Sequence, residues 1–380
     1  MSGFIFEERP YQIEAVSQVL SEFSNGRESV LLESPVGSGK TVMGLLIIKK
    51  LQEQAEGNLR VNWVASRRHI LEQTQVLNDS FFHCNVNMVS VFASNPPKAD
   101  LVVLDEAHHE ATQSCLEMYE NTGNTRTLGL SATPLRTDRM RLSFQTCVRC
   151  CSIQKLINMG ILSLYHSCKL PEWNVNLVAK VFCNTPERWG KTLVFFQTIR
   201  ECRIFKHRLA ECGIGCEVVT AQSNRDSQLD AFIAGDVQVV ANVSVLSEGF
   251  DLPELQSVFL RDASRLPTIQ MAGRGLRRAV GKTHCHLVQS STSPYPVERI
   301  ALPSESFRYV KDKWLSCSGN TQVILETLEN SMKLLEKRKI HLPRYLSSGR
   351  HVKEVSLREL TPFSRSSLSR LFCIKANYEA

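Results

Sequence analysis

The chain has 380 residues, 22% of them charged and 43% hydrophobic, values that fit about two globular domains and argue against long disorder. No apolar run approaches the roughly 20 residues of a membrane-spanning helix, and residues 1–9 lack the basic head and apolar core of a secretory signal, so neither an integral membrane protein nor an exported one is expected. The net charge of +7 is unevenly placed: residues 1–298 are neutral overall, while 299–380 hold 15 basic and 8 acidic side chains.

Short apolar runs alternate with helix-like ones along the first 135 residues. Val30-Leu31-Leu32 is followed by a helical stretch from Val42 to Leu51, then by Val61–Ala65 and a helix ending near Leu77. Leu101–Leu104 and Thr127–Leu130 are two further runs of the kind that become buried parallel strands. The pattern restarts with strands at 192–196, 216–220, 237–241, 257–260 and 284–288, and helices at 199–211, 226–233 and from Thr268. The expected organisation is one α/β domain at 1–140, a connector at 141–185, a second α/β domain at 186–292, and a basic, mainly helical module at 293–380.

The thirteen cysteines are an odd number, and with no export signal they are expected to be reduced. Cys147, Cys150 and Cys151, with Cys168 further on, are the one cluster with metal-ligand spacing. A lone CxxC is weak evidence for zinc, so packing is the preferred reading.

Chemistry concentrates after the first strand, in Ser34-Pro35-Val36-Gly37-Ser38-Gly39-Lys40-Thr41. Cradling a polyphosphate needs inward-pointing amides free of side chains, a helix N-terminus, a lysine for the β/γ oxygens and a hydroxyl for Mg²⁺. Gly37, Ser38, Gly39, Lys40 and Thr41 supply these, although Ser34 stands where the general pattern has glycine. The strand at 101–104 ends in Asp105-Glu106, where one carboxylate can hold Mg²⁺ and its neighbour can activate water. Together they point to nucleoside triphosphate hydrolysis.

Further motifs then accumulate in a fixed order. Asp105-Glu106-Ala107-His108 resembles the DEAH box of superfamily 2 helicases, and Ser131-Ala132-Thr133-Pro134 their SAT motif. Arg9-Pro10-Tyr11-Gln12, Val64–Arg68, Leu193–Thr198, Leu246–Asp251 and Gln270–Arg277 are similar to the family's entry motif and to motifs Ia, IV, V and VI. The phrases around 242–253 and 270–285 look most like RadD-type bacterial repair helicases and the motor subunits of type I and III restriction enzymes.

The resemblance implies two RecA-like P-loop domains in tandem, with ATP and Mg²⁺ between them. It gives Lys40, Asp105, Glu106, Arg274 and Arg277 catalytic roles. Gln12, Gly37, Ser38, Gly39, Lys40, Thr41, Gly249 and Asp251 would bind ATP, with Thr41 and Asp105 on Mg²⁺. His108, Ser131, Thr133 and Gln270 would couple the domains, and Ser66, Arg67 and Thr198 would touch nucleic acid. The implied function is an ATP-dependent helicase or translocase on single-stranded or duplex DNA, in a bacterial or phage-type cytoplasmic setting. An ATP-gated clamp serving a nuclease or repair protein is the alternative, and RNA is the weaker substrate. The short stretch between Arg68 and Asp105 departs from the family pattern and favours translocation over strand separation.

In the basic tail, residues 320–340 read as an amphipathic helix ending in Lys337-Arg338-Lys339, and 356–371 allow a helix-turn-helix.

Overall fold

The computed structural model describes residues 8–317 apart from 110–112, 123–124, 136–139, 247–251 and 253. The helix expected at 320–340, the two at 356–371, and Gly249 and Asp251 therefore lie outside the described residues.

Proline has a helical φ and no N–H to lose, and the first helix, α1 (Pro10–Ser24), starts on one. Its first turn is closed by the Arg9 N–H donating to Gln12 Oε1 at 3.1 Å. Then come β1 (Ser29–Glu33), α2 (Lys40–Gln54), β2 (Val61–Ala65), α3 (Arg68–Leu77), β3 (Val86–Ser90) and β4 (Leu101–Asp105). α4 (Gln113–Thr122), β5 (Arg126–Ser131) and β6 (Thr146–Arg149) follow. The six strands form one parallel sheet in the order β3-β2-β4-β5-β1-β6. One face buries Val30, Leu32, Trp63 and Val103 with Met43 and Ile47 of α2, and the other buries Leu31, Val64 and Leu104 with Met118 of α4. Burial on both faces is why these strands read as continuous apolar runs rather than as alternation.

The second half begins with α5 (Ile153–Asn158), capped where Ser152 Oγ accepts the Lys155 N–H at 3.1 Å. β7 (Leu164–Leu170), α6 (Val175–Asn184), α7 (Pro186–Trp189), β8 (Thr192–Phe195), α8 (Ile199–Glu211) and β9 (Cys216–Val219) come next. α9 (Arg225–Ala234), β10 (Val239–Asn242), β11 (Ser257–Leu260), α10 (Arg265–Gly275), β12 (His284–Ser290), β13 (Glu305–Val310) and β14 (Lys313–Ser316) complete it. The eight-stranded sheet runs β14-β13-β7-β12-β11-β8-β10-β9, parallel throughout except for the β13–β14 hairpin. Phe195, Leu193 and Val240 are fully buried on one face, Val194, Phe259 and Trp189 on the other.

Two segments differ from expectation. In the stretch read as a connector, β6 and α5 are the strand and helix that residues 147–159 suggest, but β7 is an interior strand of the second sheet. β7 is Leu-Tyr-His-Ser-Cys-Lys-Leu, whose polar residues conceal the strand, and its seven residues all pair with β12. Residues 305–316, read as part of a helical module, form a hairpin in which Tyr309 and Trp314 face each other with ring centroids 5.1 Å apart.

Candidate active site

The phosphate loop is closed by hydroxyls where a glycine would ordinarily stand. Ser34 and Ser38 have their Oγ atoms 2.5 Å apart, and Ser38 Oγ donates to the Pro35 carbonyl at 2.6 Å. The Ser34 N–H donates to the Ser131 carbonyl at 2.8 Å, which binds the loop to the end of β5. Ser131 Oγ in turn accepts the Thr133 N–H at 3.2 Å, and Thr133 Oγ1 donates to the Leu135 carbonyl at 3.0 Å. Both residues are buried beneath the loop.

Gly39 begins α2 at φ +84°, and a Cβ there would lie 2.5 Å from Gln12 Nε2. Gln12 Nε2 donates to the Ser38 carbonyl at 3.0 Å, and Tyr11 Oη donates to the same oxygen at 2.8 Å. The Gln12 amide is thus engaged at both ends, its oxygen on the Arg9 N–H and its nitrogen on the loop. Tyr11 was not among the expected site residues. Its ring belongs to the same buried cluster as Leu156 and Leu162 of the second half.

At the end of β4, Asp105 is buried, and Glu106 adopts a left-handed backbone at φ +52°, unusual for a side chain this size. The Glu106 N–H donates to Asp105 Oδ1 at 2.9 Å. Glu106 Oε1 lies 3.4 Å from Lys40 Nζ, and Oε2 lies 3.4 Å from His108 Nδ1. Burial first, and the Glu106 charge second, push the Asp105 carboxyl well above the usual carboxylate range. Two adjacent, largely desolvated carboxyls beside a phosphate loop, with the Thr41 hydroxyl on the first turn of α2, form the hard-oxygen set that suits Mg²⁺.

Helix α10 brings the second half to this loop. Gln270 Nε2 stands 3.3 Å from His108 Nε2, and a Cβ on Gly273 would lie 2.7 Å from the Val36 Cβ. Only a glycine lets the helix pass the loop this closely. Arg274 is 5% exposed and Arg277 is half-buried. Lys282 Nζ donates to the Gly275 and Arg277 carbonyls at 2.6 and 2.8 Å, and burial pushes its pKa down to about 8. A cavity of about 1370 Å³ is lined by Gly37, Gly39, Lys40, Thr41, Asp105 and Glu106 from one side, and by Gln270, Arg274 and Arg277 from the other.

The expected nucleic-acid contacts gather less completely. Ser66 is exposed at the end of β2. Arg67 Nη1 donates across to the Val245 carbonyl at 3.2 Å. Thr198 caps α8: its Oγ1 accepts the Glu201 N–H at 3.2 Å and donates to Glu201 Oε2 at 2.9 Å, so its hydroxyl is committed to the helix start. Burial first, and the Arg67 charge second, push the Arg225 pKa down. Arg225 lies in a polar helix start and gave no sequence signal.

Residues 5–95 match the family "Type III restriction enzyme, res subunit", and residues 173–279 match "Helicase conserved C-terminal domain". The chain belongs to the superfamily 2 helicases of the restriction-motor kind. IRC3 of Saccharomyces cerevisiae, whose name places it with the ATP-dependent helicases, is 23% identical to this helicase over 356 residues, 74% of this chain and 51% of that protein. UvrABC system protein B of Thermotoga maritima is 33% identical over 118 residues, 28% of this chain and 17% of that one. The chain spans about half the length of the first of these relatives. The DNA-bound type ISP restriction–modification enzyme LlaBIII superposes with a TM-score of 0.60 at 17% identity, over 78% of this chain and 28% of that one. Helicase Lhr of Mycobacterium smegmatis, bound to single-stranded DNA and AMP-PNP, gives 0.52 at 17% identity, over 75% and 46%. These likenesses establish tandem RecA-like domains. No described helix is long and apolar enough to cross a membrane.

Proposed function

We propose that this helicase hydrolyses ATP in the cleft between its two RecA-like domains and converts closure of the cleft into movement along DNA. The observation that carries the reading is that α10 and the turn behind it present Gln270, Arg274 and Arg277 to the same cavity that Lys40, Thr41, Asp105 and Glu106 line. Lys40 and the loop amides bind the triphosphate. Thr41 and Asp105 would hold Mg²⁺, which when bound neutralises phosphate charge. Glu106 orients the attacking water and takes its proton, and the strained backbone fixes where that carboxylate points. Arg274 and Arg277 stabilise the charge that develops on the γ-phosphoryl group, but only with the domains closed. The Glu106–His108–Gln270 chain carries that state across the interface.

DNA is the preferred track because the matching relatives include the type I restriction endonuclease subunit EcoAI, and because LlaBIII and Lhr, which share the fold, are held on DNA. The test is steady-state ATPase activity with no nucleic acid, single-stranded DNA, duplex DNA and RNA, with Glu106→Gln as the blank. DNA should stimulate most. Equal rates in all four conditions would sink the proposal, and stimulation by RNA alone would reassign the track.

A further inference from the structure

Away from the cleft, three neighbouring strands gather a second set of polar side chains. β12 and β7 pair so that His286 lies beside His166, and β13 pairs with β7 so that Glu305 lies beside His166 on its other flank. Side chains alternate along a strand, so His284, two residues before His286, leaves the same face. Donor nitrogens of the three histidines lie within 4.8 Å of one another. His166 and His284 stack with ring centroids 4.0 Å apart, and His286 is 5.1 and 5.2 Å from them. His166 Nδ1 is buried without a hydrogen-bond partner, and its Nε2 is 4.0 Å from Glu305 Oε2. Buried polar atoms are usually satisfied, so an imidazole nitrogen left bare among two other imidazoles calls for an occupant.

We propose that His166, His284 and His286 form a three-imidazole binding site for one zinc-type divalent metal ion, its fourth position open to a solvent oxygen. Tetrahedral ligation by imidazoles at roughly 2.0–2.1 Å places donor atoms about 3.4 Å apart, within reach of small side-chain rotations from the observed spacing. Two other groups face the cluster. The Arg188 guanidinium, packed over Trp189, Phe307 and Trp314 at 5.2, 4.9 and 5.3 Å, opposes a cation, and the Glu305 carboxylate offsets it. Cys168 Sγ lies 4.0 Å from His286 Nδ1, beside the three imidazoles. A metal here ties β12, which directly follows the turn carrying Arg277 and Lys282, to β7 and to the β13–β14 hairpin.

The full chain, without an affinity tag, stripped by chelator and free of nucleotide, is titrated with Co²⁺ and separately melted with and without Zn²⁺. The expected result is one equivalent of Co²⁺ with the intense visible bands of a tetrahedral nitrogen–oxygen site, together with a Zn²⁺-dependent rise in Tm. Both should be lost in His284→Ala and in His166→Ala. Matching melting temperatures of the metal-free wild type and His284→Ala identify the loss as loss of a ligand. Three outcomes overturn the site: only a weak octahedral spectrum in the wild type, a sulfur-to-cobalt charge-transfer band that persists in His284→Ala, or the same Zn²⁺ shift in both variants.

Discussion

The two sheets of this helicase share parallel strands and doubly covered faces, yet their strand ends are chemically opposite. In the six-stranded sheet, β1, β4 and β5 lead into Ser34, the Asp105–Glu106 pair and Ser131, which converge on one loop. In the eight-stranded sheet no described strand end carries a phosphate loop, and its share of the cleft comes from α10 and the turn behind it. Under the proposed function, one domain would hold the substrate and the other would complete the catalytic set. That division would make hydrolysis depend on how closely the domains approach.

The sharpest way to break this comparison is Arg274→Ala. ATP turnover should fall by about three orders of magnitude, as for loss of an arginine finger, while nucleotide affinity changes little. Single-turnover hydrolysis beside equilibrium nucleotide binding reads the two separately. A wild-type turnover rate would deprive the second domain of its catalytic share.

A subtler probe is Gly273→Ala. Its Cβ would meet Val36 at 2.7 Å, an overlap whose relief costs about 1–3 kcal/mol and therefore lowers turnover by roughly tenfold to a hundredfold. Alanine favours a helix interior by about 1 kcal/mol over glycine, so Tm should hold or rise. Adding Val36→Gly should restore turnover. A double variant no better than the single one would mean that this contact does not set closure.

The smallest expected effect lies at the mouth of the first sheet. Arg60 grips Asp100 at 2.7 and 3.0 Å and holds its carboxyl down at about 2. A carboxyl whose folded pKa lies below its unfolded value of about 3.9 adds stability above that value and loses it as pH falls through the folded one. Asp100→Asn should therefore cost under about 1 kcal/mol at neutral pH, since the pair is exposed, and the difference should shrink below pH 4. Urea titrations of both proteins across pH check this, with ATPase activity unchanged. A gap that persisted at pH 2 would assign the effect to packing.

How far the sequence could be read depends on how local the signal is. Glycine, lysine and threonine after an apolar run define a phosphate loop wherever they occur, and most strands of both sheets stand out because burial on both faces leaves them uniformly apolar. β7 and β13 do not, because each is half polar and becomes a strand only through its neighbours. Thr198 carries two local signals at once: its place in motif IV suggests a nucleic-acid contact, and Glu201 three residues later makes it a helix cap.

By itself, then, the sequence determined the family, the two α/β domains and the phosphate-binding and acidic groups, because each rests on residues within one loop or one strand end. Tertiary structure alone decided what those groups meet. Gln12 turned onto Ser38, Gly273 set against Val36, Gln270 reaching His108, and three histidines collected from β7 and β12 all join residues far apart in the chain. Such contacts depend on strand order and helix approach, which no local pattern encodes.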